Sequence, residues 1–173
     1  RLTVGPVGSG LPREIIGALL YVANWVAIAS PGHSSYLDHA WSLSVEEQFY
    51  FVWPVVLTVL LRRGVRATTV ARGTVALAVV AFATRWYLYD RHHGTGPNDF
   101  RVFYLNTGSR IDELMIGATL GLLPPPVWKR VARLSLPGLV GLVVLIHVGR
   151  LRADLIYEWG LTASAIASVL VVA

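Results

Sequence analysis

The residues best suited to chemistry lie in the stretch YLDHAWSLSVEEQFYFVWP, at positions 36–54. His39 precedes the adjacent carboxylates Glu46 and Glu47, and the chain then continues into aromatic and aliphatic residues. Histidine titrates near neutral pH and therefore suits a general base, and a carboxylate can orient such a base or balance its charge. The pattern predicts a polar site set into apolar surroundings.

On a helix, the two glutamates have different possible roles. Ser44 and Glu47 fit the capping box S-x-x-E, in which both side chains bond backbone N–H groups of the first turn, so Glu47 has a structural explanation beside a catalytic one. Glu46 lies about 100° further around the helix and has Tyr50 as its i+4 neighbour. A charge that faces lipid is costly, so we expect Glu46 to point into the bundle.

A second charged pair, Arg110 and Glu113, is spaced i,i+3. This spacing suits a simple ion pair on one helix, and it equally suits a site in which the guanidinium holds an anionic group. His39 likewise has two interpretations, a solvated residue at the helix entrance or a contact to an acceptor. His92 and His93 are adjacent and lack flanking ligands at metal-binding spacing, so we expect no metal.

The composition indicates a membrane protein. Of the 173 residues, 54% are hydrophobic and only 14% are charged, too few polar residues to cover a soluble domain. The absence of cysteine excludes disulfides and thiolate metal sites. The net charge of +5 comes from basic residues that alternate with apolar runs, which indicates membrane orientation signals and no nucleic-acid partner.

Six apolar segments predict an all-α bundle of about six transmembrane helices: 15–30, 45–61, 74–89, 111–123, 136–148 and 155–173. The short fourth segment carries Gly117 and Gly121, a spacing that favours close helix contact. With the N-terminus cytoplasmic, nine Lys and Arg residues fall on the cytoplasmic side and six on the other. The helix over 44–61 then enters from outside and ends at Arg62 and Arg63.

The same helix carries two further expectations, that Phe51 and Val55 face apolar neighbours. Because the chain begins with Arg1 and stops inside an apolar run, we expect residues 1–173 to be one partial domain, truncated at both ends.

The run HAWSLSVEEQFYFVWP resembles the signature of the membrane acyltransferase-3 family of multi-spanning O-acyltransferases. The matching residues are His39, Trp41, Ser42, Leu43, Ser44, Val45, Glu46, Glu47, Gln48, Phe49, Tyr50, Trp53 and Pro54. A weaker match is FYLNTGSRIDELMIGATLG, through Arg110, Glu113, Leu114, Gly117 and Gly121, and YVANWV before the signature is also similar. The resemblance implies a larger bundle of about ten spanning helices.

The resemblance also implies an activity: transfer of an acyl group, most plausibly acetyl, from acyl-CoA to a hydroxyl of a carbohydrate or cell-surface acceptor. The family's catalytic Arg and His lie in a first helix that this chain does not contain, so we expect the isolated chain to be inactive. Acyl-CoA would be a co-substrate rather than a tightly bound cofactor. The protein would lie in the plasma membrane and cross it several times.

The implied catalytic residues in this chain are Glu46, Glu47 and Arg110, and the implied substrate-binding residues are His39, Trp41, Ser42, Ser44, Gln48, Tyr50 and Glu113. A polytopic transporter or proton-coupled permease is the alternative, because ion pathways also use carboxylates and arginines inside helical bundles.

Overall fold

The computed structural model describes residues 11–29, 37, 39–92, 103–151, 155 and 159–173, which are almost entirely helical and contain no strand. In chain order the elements are α1 (Leu11–Leu19), α2 (Ala23–Ala29), α3 (Ala40–Arg62), α4 (Ala67–His92), α5 (Thr107–Leu122), α6 (Pro125–Val131), a 3-10 turn (Ala132–Leu134), α7 (Ser135–Leu151) and α8 (Leu161–Val172). The all-α prediction is confirmed.

Three stretches of the described chain are long and apolar enough to cross a bilayer: Ala40–Arg62, Ala67–Arg91 and Pro125–Arg150. They contain the second, third and fifth predicted segments. The fourth segment lies in α5, of 16 residues, and the sixth ends in the 12-residue apolar helix α8. The chain is thus an all-α membrane protein fragment, and three of the six predicted spans have full spanning length among the described residues.

The first predicted span is not one helix, because α1 and α2 are separated at residues 20–22. Tyr21 adopts a left-handed backbone with φ of +54°, which a continuous right-handed helix cannot contain. The amide of Val22 then donates to the carbonyl of Gly17 at 2.7 Å, which closes the turn. A Cβ on Gly17 would approach Val26 to 2.9 Å, so the glycine permits the tight α1–α2 packing.

Helix α3 starts earlier than predicted, and the predicted capping box does not form. The N-cap is His39, whose side chain makes no capping hydrogen bond, and Ser44 lies buried in the second turn. The Ser44 hydroxyl donates to the carbonyl of Ala40 at 2.8 Å and accepts from the amide of Ala23 at 3.2 Å, so it joins α3 to α2. The predicted stop is confirmed, since α3 ends at Arg62 and Gly64 follows with φ of +79°.

The core that fixes the site is formed where α3, α4 and α5 meet. Phe49, Ala78 and Met115 are buried there, one from each helix, and Trp53 packs on the cluster with its ring stacked on Phe49 at 6.0 Å. The cluster of Phe49, Ala78 and Met115 packs the signature helix α3 against α4 and α5. By contrast, Phe51 and Val55 are 68% and 63% exposed. The ring of Tyr21 lies 6.4 Å from that of Phe51, and the expectation that both residues face apolar neighbours stays a prediction.

The predicted close contact at Gly117 and Gly121 is wrong for the described residues, since a Cβ at either position would meet nothing within 4 Å. Close helix packing occurs at Gly138 of α7 instead. A Cβ there would lie 2.7 Å from Leu170 and 2.9 Å from the carbonyl oxygen of Ala167, both on α8. Spacing alone did not indicate which glycine faces a partner helix.

Candidate active site

A small polar cavity of about 50 Å³ lies between α3 and α5. Its lining is Trp41, Ser42, Val45 and Glu46 from α3 and Arg110, Glu113 and Leu114 from α5. Residues three and four positions apart share a helix face, which explains how each helix presents its set to the other. Five of the predicted site residues therefore meet in one place: Trp41, Ser42, Glu46, Arg110 and Glu113.

Arg110 is held by aromatic rings and by Glu113. Its guanidinium carbon lies 5.7 Å from the ring centre of Trp41 and 5.0 Å from that of Tyr104, and these two rings are themselves 5.0 Å apart. Such cation–π contacts suit the flat, delocalised guanidinium better than an ammonium group. The position of the positive charge at the cavity is thus defined by two rigid side chains.

The ion pair between Arg110 and Glu113 leaves hydrogen-bonding capacity unused. Nη1 of Arg110 and Oε1 of Glu113 lie 2.9 Å apart, but neither atom has a hydrogen bond of acceptable geometry among the described residues, and both are buried. Buried polar atoms without partners are rare in folded proteins because they lose water without replacement. The cavity therefore offers one donor and one acceptor to a bound group.

Glu46 lies on the wall of this cavity and Glu47 does not, although both were candidates. Glu46 is largely exposed and Glu47 half-buried. Within the described chain neither carboxylate makes a hydrogen bond or ion pair. Glu46 lines the same cavity as Arg110 and Glu113 but bonds neither of them.

Behind the cavity, a buried ion pair that the sequence analysis did not select joins α4, α5 and α8. Arg85 and Asp112 are both fully buried and bond at 2.8 and 3.0 Å through two nitrogen–oxygen pairs. Arg85 also donates to the carbonyl of Ser109 at 2.8 Å and bonds the hydroxyl of Thr162, which donates to Asp112 at 2.5 Å. Nη1 of Arg85 lies 4.0 Å from Oε1 of Glu113, which connects this pair to the cavity.

A signal for Arg85 was present in the sequence. It is an arginine inside the third apolar segment, and an ionisable residue there is expected to face a partner inside the bundle. In the sequence analysis Arg85 was only one of the six basic residues counted on the non-cytoplasmic side. Asp112 lies between Arg110 and Glu113, and nothing in the sequence separates its role from theirs.

A second buried network links α2, α3 and α5 through amide side chains. The Gln48 side chain donates to Asn24 at 3.1 Å and to the Tyr21 carbonyl at 2.7 Å, and accepts from Thr107 at 2.8 Å. Asn24 is fully buried and donates to Thr107 at 2.9 Å and to the carbonyl of Leu105 at 3.2 Å. Gln48 thus connects the broken first segment to α5, away from the cavity lining.

The remaining predicted residues lie apart from the cavity. His39 is exposed at the start of α3, and its carbonyl accepts from Ser42 at 3.0 Å. Tyr50 is 55% exposed, with its ring edge toward Phe49. His93 and the side chain of His92 lie outside the described residues. Within those residues, no three His, Asp or Glu side chains are grouped as metal ligands.

Comparison with known proteins shows similarity to O-acetyltransferases. The chain is 30% identical over 181 residues to O-acetyltransferase OatA of Staphylococcus aureus, strains NCTC 8325 and COL among others, with 94% of this chain and 29% of the relative aligned. A second protein of strain COL, provisionally named an O-acetyltransferase, is 30% identical over 120 residues, covering 66% of this chain and 19% of that protein.

The chain therefore spans less than a third of the length of these relatives. No family model matches it, and no solved structure does. The similarity to named O-acetyltransferases, along nearly the whole of this chain, supports an acyltransferase family for it.

Proposed function

We propose that this chain is part of an integral-membrane O-acyltransferase that transfers acetyl from acetyl-CoA to a hydroxyl of a carbohydrate or other cell-surface acceptor. The observation that carries the proposal is the similarity to O-acetyltransferases over 94% of the chain. The sequence signature, which lies on α3 beside the cavity, supports the same reaction.

The reaction needs a base and a stabilised oxyanion. The acceptor oxygen forms a bond to the acetyl carbon, the bond from that carbon to the CoA sulfur breaks, and the hydroxyl proton passes to the base and then to the leaving thiolate. We assign Arg110 to the oxyanion or to an anionic part of the donor, because its buried Nη1 lies at the cavity and is paired with Glu113 without a hydrogen bond of acceptable geometry.

The carboxylates at the cavity then act on the base and the acceptor. Glu46 would orient or charge-balance a histidine base, which the family resemblance places in a helix outside this chain. Glu113, whose Oε1 has no hydrogen-bond donor among the described residues, would accept a hydrogen bond from the acceptor hydroxyl. Glu47, which does not line the cavity, is left without a direct part in this scheme.

The test is acetyl transfer by membranes that contain the full-length protein. Membranes are incubated with radiolabelled acetyl-CoA and purified cell-surface glycans, and the label on the glycan is measured. Label should appear with the native protein and fall to background with Arg110→Ala. Uptake of glycan into vesicles without any acetylation would support the transporter alternative, which the comparisons do not favour.

A further inference from the structure

A large apolar cleft lies on the opposite side of α5 from the small polar cavity, between α4 and α8. It has a volume of about 400 Å³, and its walls include Val75, Val79 and Phe82 of α4, Ile116 of α5, and Ile166 and Val169 of α8. Helix α5 packs against both α4 and α8 and forms the floor. A concave volume of this size is in the range of pockets that bind small molecules.

The cleft offers hydrocarbon surface and no free hydrogen-bonding group. Its polar atoms are the hydroxyls of Thr119 and Thr162. Thr119 donates to the carbonyl of Met115 at 2.7 Å and lies 2.7 Å from the hydroxyl of Thr74, whereas Thr162 donates to Asp112. A sugar or a nucleotide would lose its water there without replacement, so the chemistry selects a hydrocarbon chain.

The cleft can hold a flexible hydrocarbon chain. An extended hydrocarbon chain is much narrower than a helix, which with its side chains is about 10–12 Å wide, and it can lie along a cleft of about 400 Å³.

A cation lies at one end of the cleft. A second cavity of about 460 Å³ adjoins the first, with Val75, Thr119 and Leu123 lining both, and Arg72 lines the second. Arg72 has no ion-pair partner in the described part of the chain. The short helix α6, which contributes Val127 to this wall, carries Lys129 and Arg130 in its last turn.

We propose that this cleft binds one acyl chain of an anionic membrane phospholipid, whose phosphate lies against Arg72. The charge fits, because basic pockets between membrane helices attract anionic headgroups on the side where Lys and Arg accumulate. The topology predicted from the sequence places Arg72 on the cytoplasmic side, where that excess of Lys and Arg lies. The proposal does not depend on the acetyltransferase reaction.

The experiment measures retained lipid by native mass spectrometry of the purified full-length protein. The protein is exchanged into an equal mixture of phosphatidylglycerol and phosphatidylcholine that have identical acyl chains. We expect the native protein to retain one lipid, with phosphatidylglycerol preferred. A native protein that retains neither lipid would overturn the proposal.

Matched variants separate the tail from the headgroup. Val79→Trp fills the cleft and should lower retention of both lipids at least tenfold, since several methylene contacts are lost. Val80→Trp is the control, because Val80 is 62% exposed against 61% for Val79 but does not line the cleft. Equal retention by the two variants would overturn the proposal, and Ile166→Trp on α8 repeats the test if Val79→Trp does not fold.

Arg72→Gln tests the headgroup. It should reduce the preference for phosphatidylglycerol about fivefold, the effect of one cation at a charged membrane surface, and leave tail binding intact. Arg63→Gln, at the end of α3 and outside the cleft, should leave the preference unchanged. If excess soluble CoA or inorganic phosphate displaces phosphatidylglycerol, the Arg72 end is a site for soluble phosphates and the lipid assignment is wrong.

The alternative occupant of the cleft is a helix from elsewhere in the full-length protein. Variants that combine Val79→Cys with a cysteine in another helix test this alternative. Efficient disulfide formation with such a helix would mean that protein fills the cleft, which would also overturn the proposal.

Discussion

At the scale of single residues, the structure separates two carboxylates that are adjacent in the sequence. Glu46 lines the cavity with Arg110 and Glu113, and Glu47 lies outside it without the capping role that the spacing S-x-x-E indicated. Capping failed as a prediction because α3 begins at Ala40, so Glu47 is already in the second turn. The difference between the two side chains comes from which helix face meets α5.

The first prediction follows from this difference. In the full-length protein, Glu46→Gln should lower acetyl transfer about a hundredfold, because the amide keeps the shape of the side chain and removes the charge that would orient or balance the histidine base at the cavity. Glu47→Gln is the matched control and should lower it less than tenfold. Transfer rates at saturating acetyl-CoA, normalised to the amount of inserted protein, measure both. Near-normal transfer by Glu46→Gln with an inactive Glu47→Gln would reverse the two assignments.

The second prediction concerns the aromatic seat of Arg110. Arg110→Lys keeps the charge but loses the flat guanidinium that contacts the rings of Trp41 and Tyr104, and with it part of the cation–π attraction. We expect a loss of transfer of at least tenfold with unchanged membrane insertion. Arg91→Lys is the control, because Arg91 also makes a cation–π contact, with the ring of Tyr87, but lies on an exposed surface. Full activity of Arg110→Lys would show that charge alone is required.

At the scale of the helices, the Arg85–Asp112 pair fixes how α5 lies against α4 and α8. Both Nη atoms of Arg85 bond Asp112, and Thr162 donates to the same carboxylate, in a site closed to water. Neighbouring positions on α5 carry Arg110 and Glu113 to the cavity. Burial of a charge pair gains little over apolar packing, but loss of one partner leaves the other charge uncompensated. The pair thus makes the position of α5 specific.

The third prediction tests this coupling by unfolding the full-length protein in detergent. Asp112→Asn should lower the free energy of unfolding by about 3–5 kcal/mol, since Arg85 then lies buried without its carboxylate. The double change Arg85→Met with Asp112→Leu should cost less than Asp112→Asn alone, because no charge remains buried. Arg91→Met, on α4 like Arg85, is the surface control and should change the free energy of unfolding by no more than about 1 kcal/mol. A double variant as unstable as the sum of its single changes would contradict the coupling.

The sequence predicted the helices more successfully than their contacts. Apolar length located α3, α4 and α7, and the signature located the cavity residues of α3, because both depend on local composition. The break at Tyr21, the packing at Gly138 and the Arg85–Asp112 pair depend on which faces meet across the fold. Helical spacing assigns residues to faces, but it does not say which helix each face contacts, so Gly117 and Gly138 could not be distinguished beforehand.

At the scale of the whole molecule, the described chain leaves much apolar surface uncovered. Leu136 and Ile146 of α7 are 70% and 60% exposed, and Phe51 of α3 is 68% exposed. Soluble monomers rarely expose contiguous apolar surface of this kind, whereas lipid tails solvate it at no cost. A bilayer suits long helices whose exposed sides are apolar and whose charged residues are buried in pairs.

The orientation in that bilayer follows from the ends of α3. His39 and Arg63 cap the two ends of a helix of 23 residues, which is long enough to span the membrane. The excess of Lys and Arg on that side of the chain predicts that the Arg63 end lies in the cytoplasm. In a cysteine-free background, His39→Cys should therefore react with a membrane-impermeant maleimide in intact cells, and Arg63→Cys should react only after the cells are opened. Labelling of Arg63→Cys from outside, with His39→Cys protected, would reverse the topology and place the polar cavity near the cytoplasmic face.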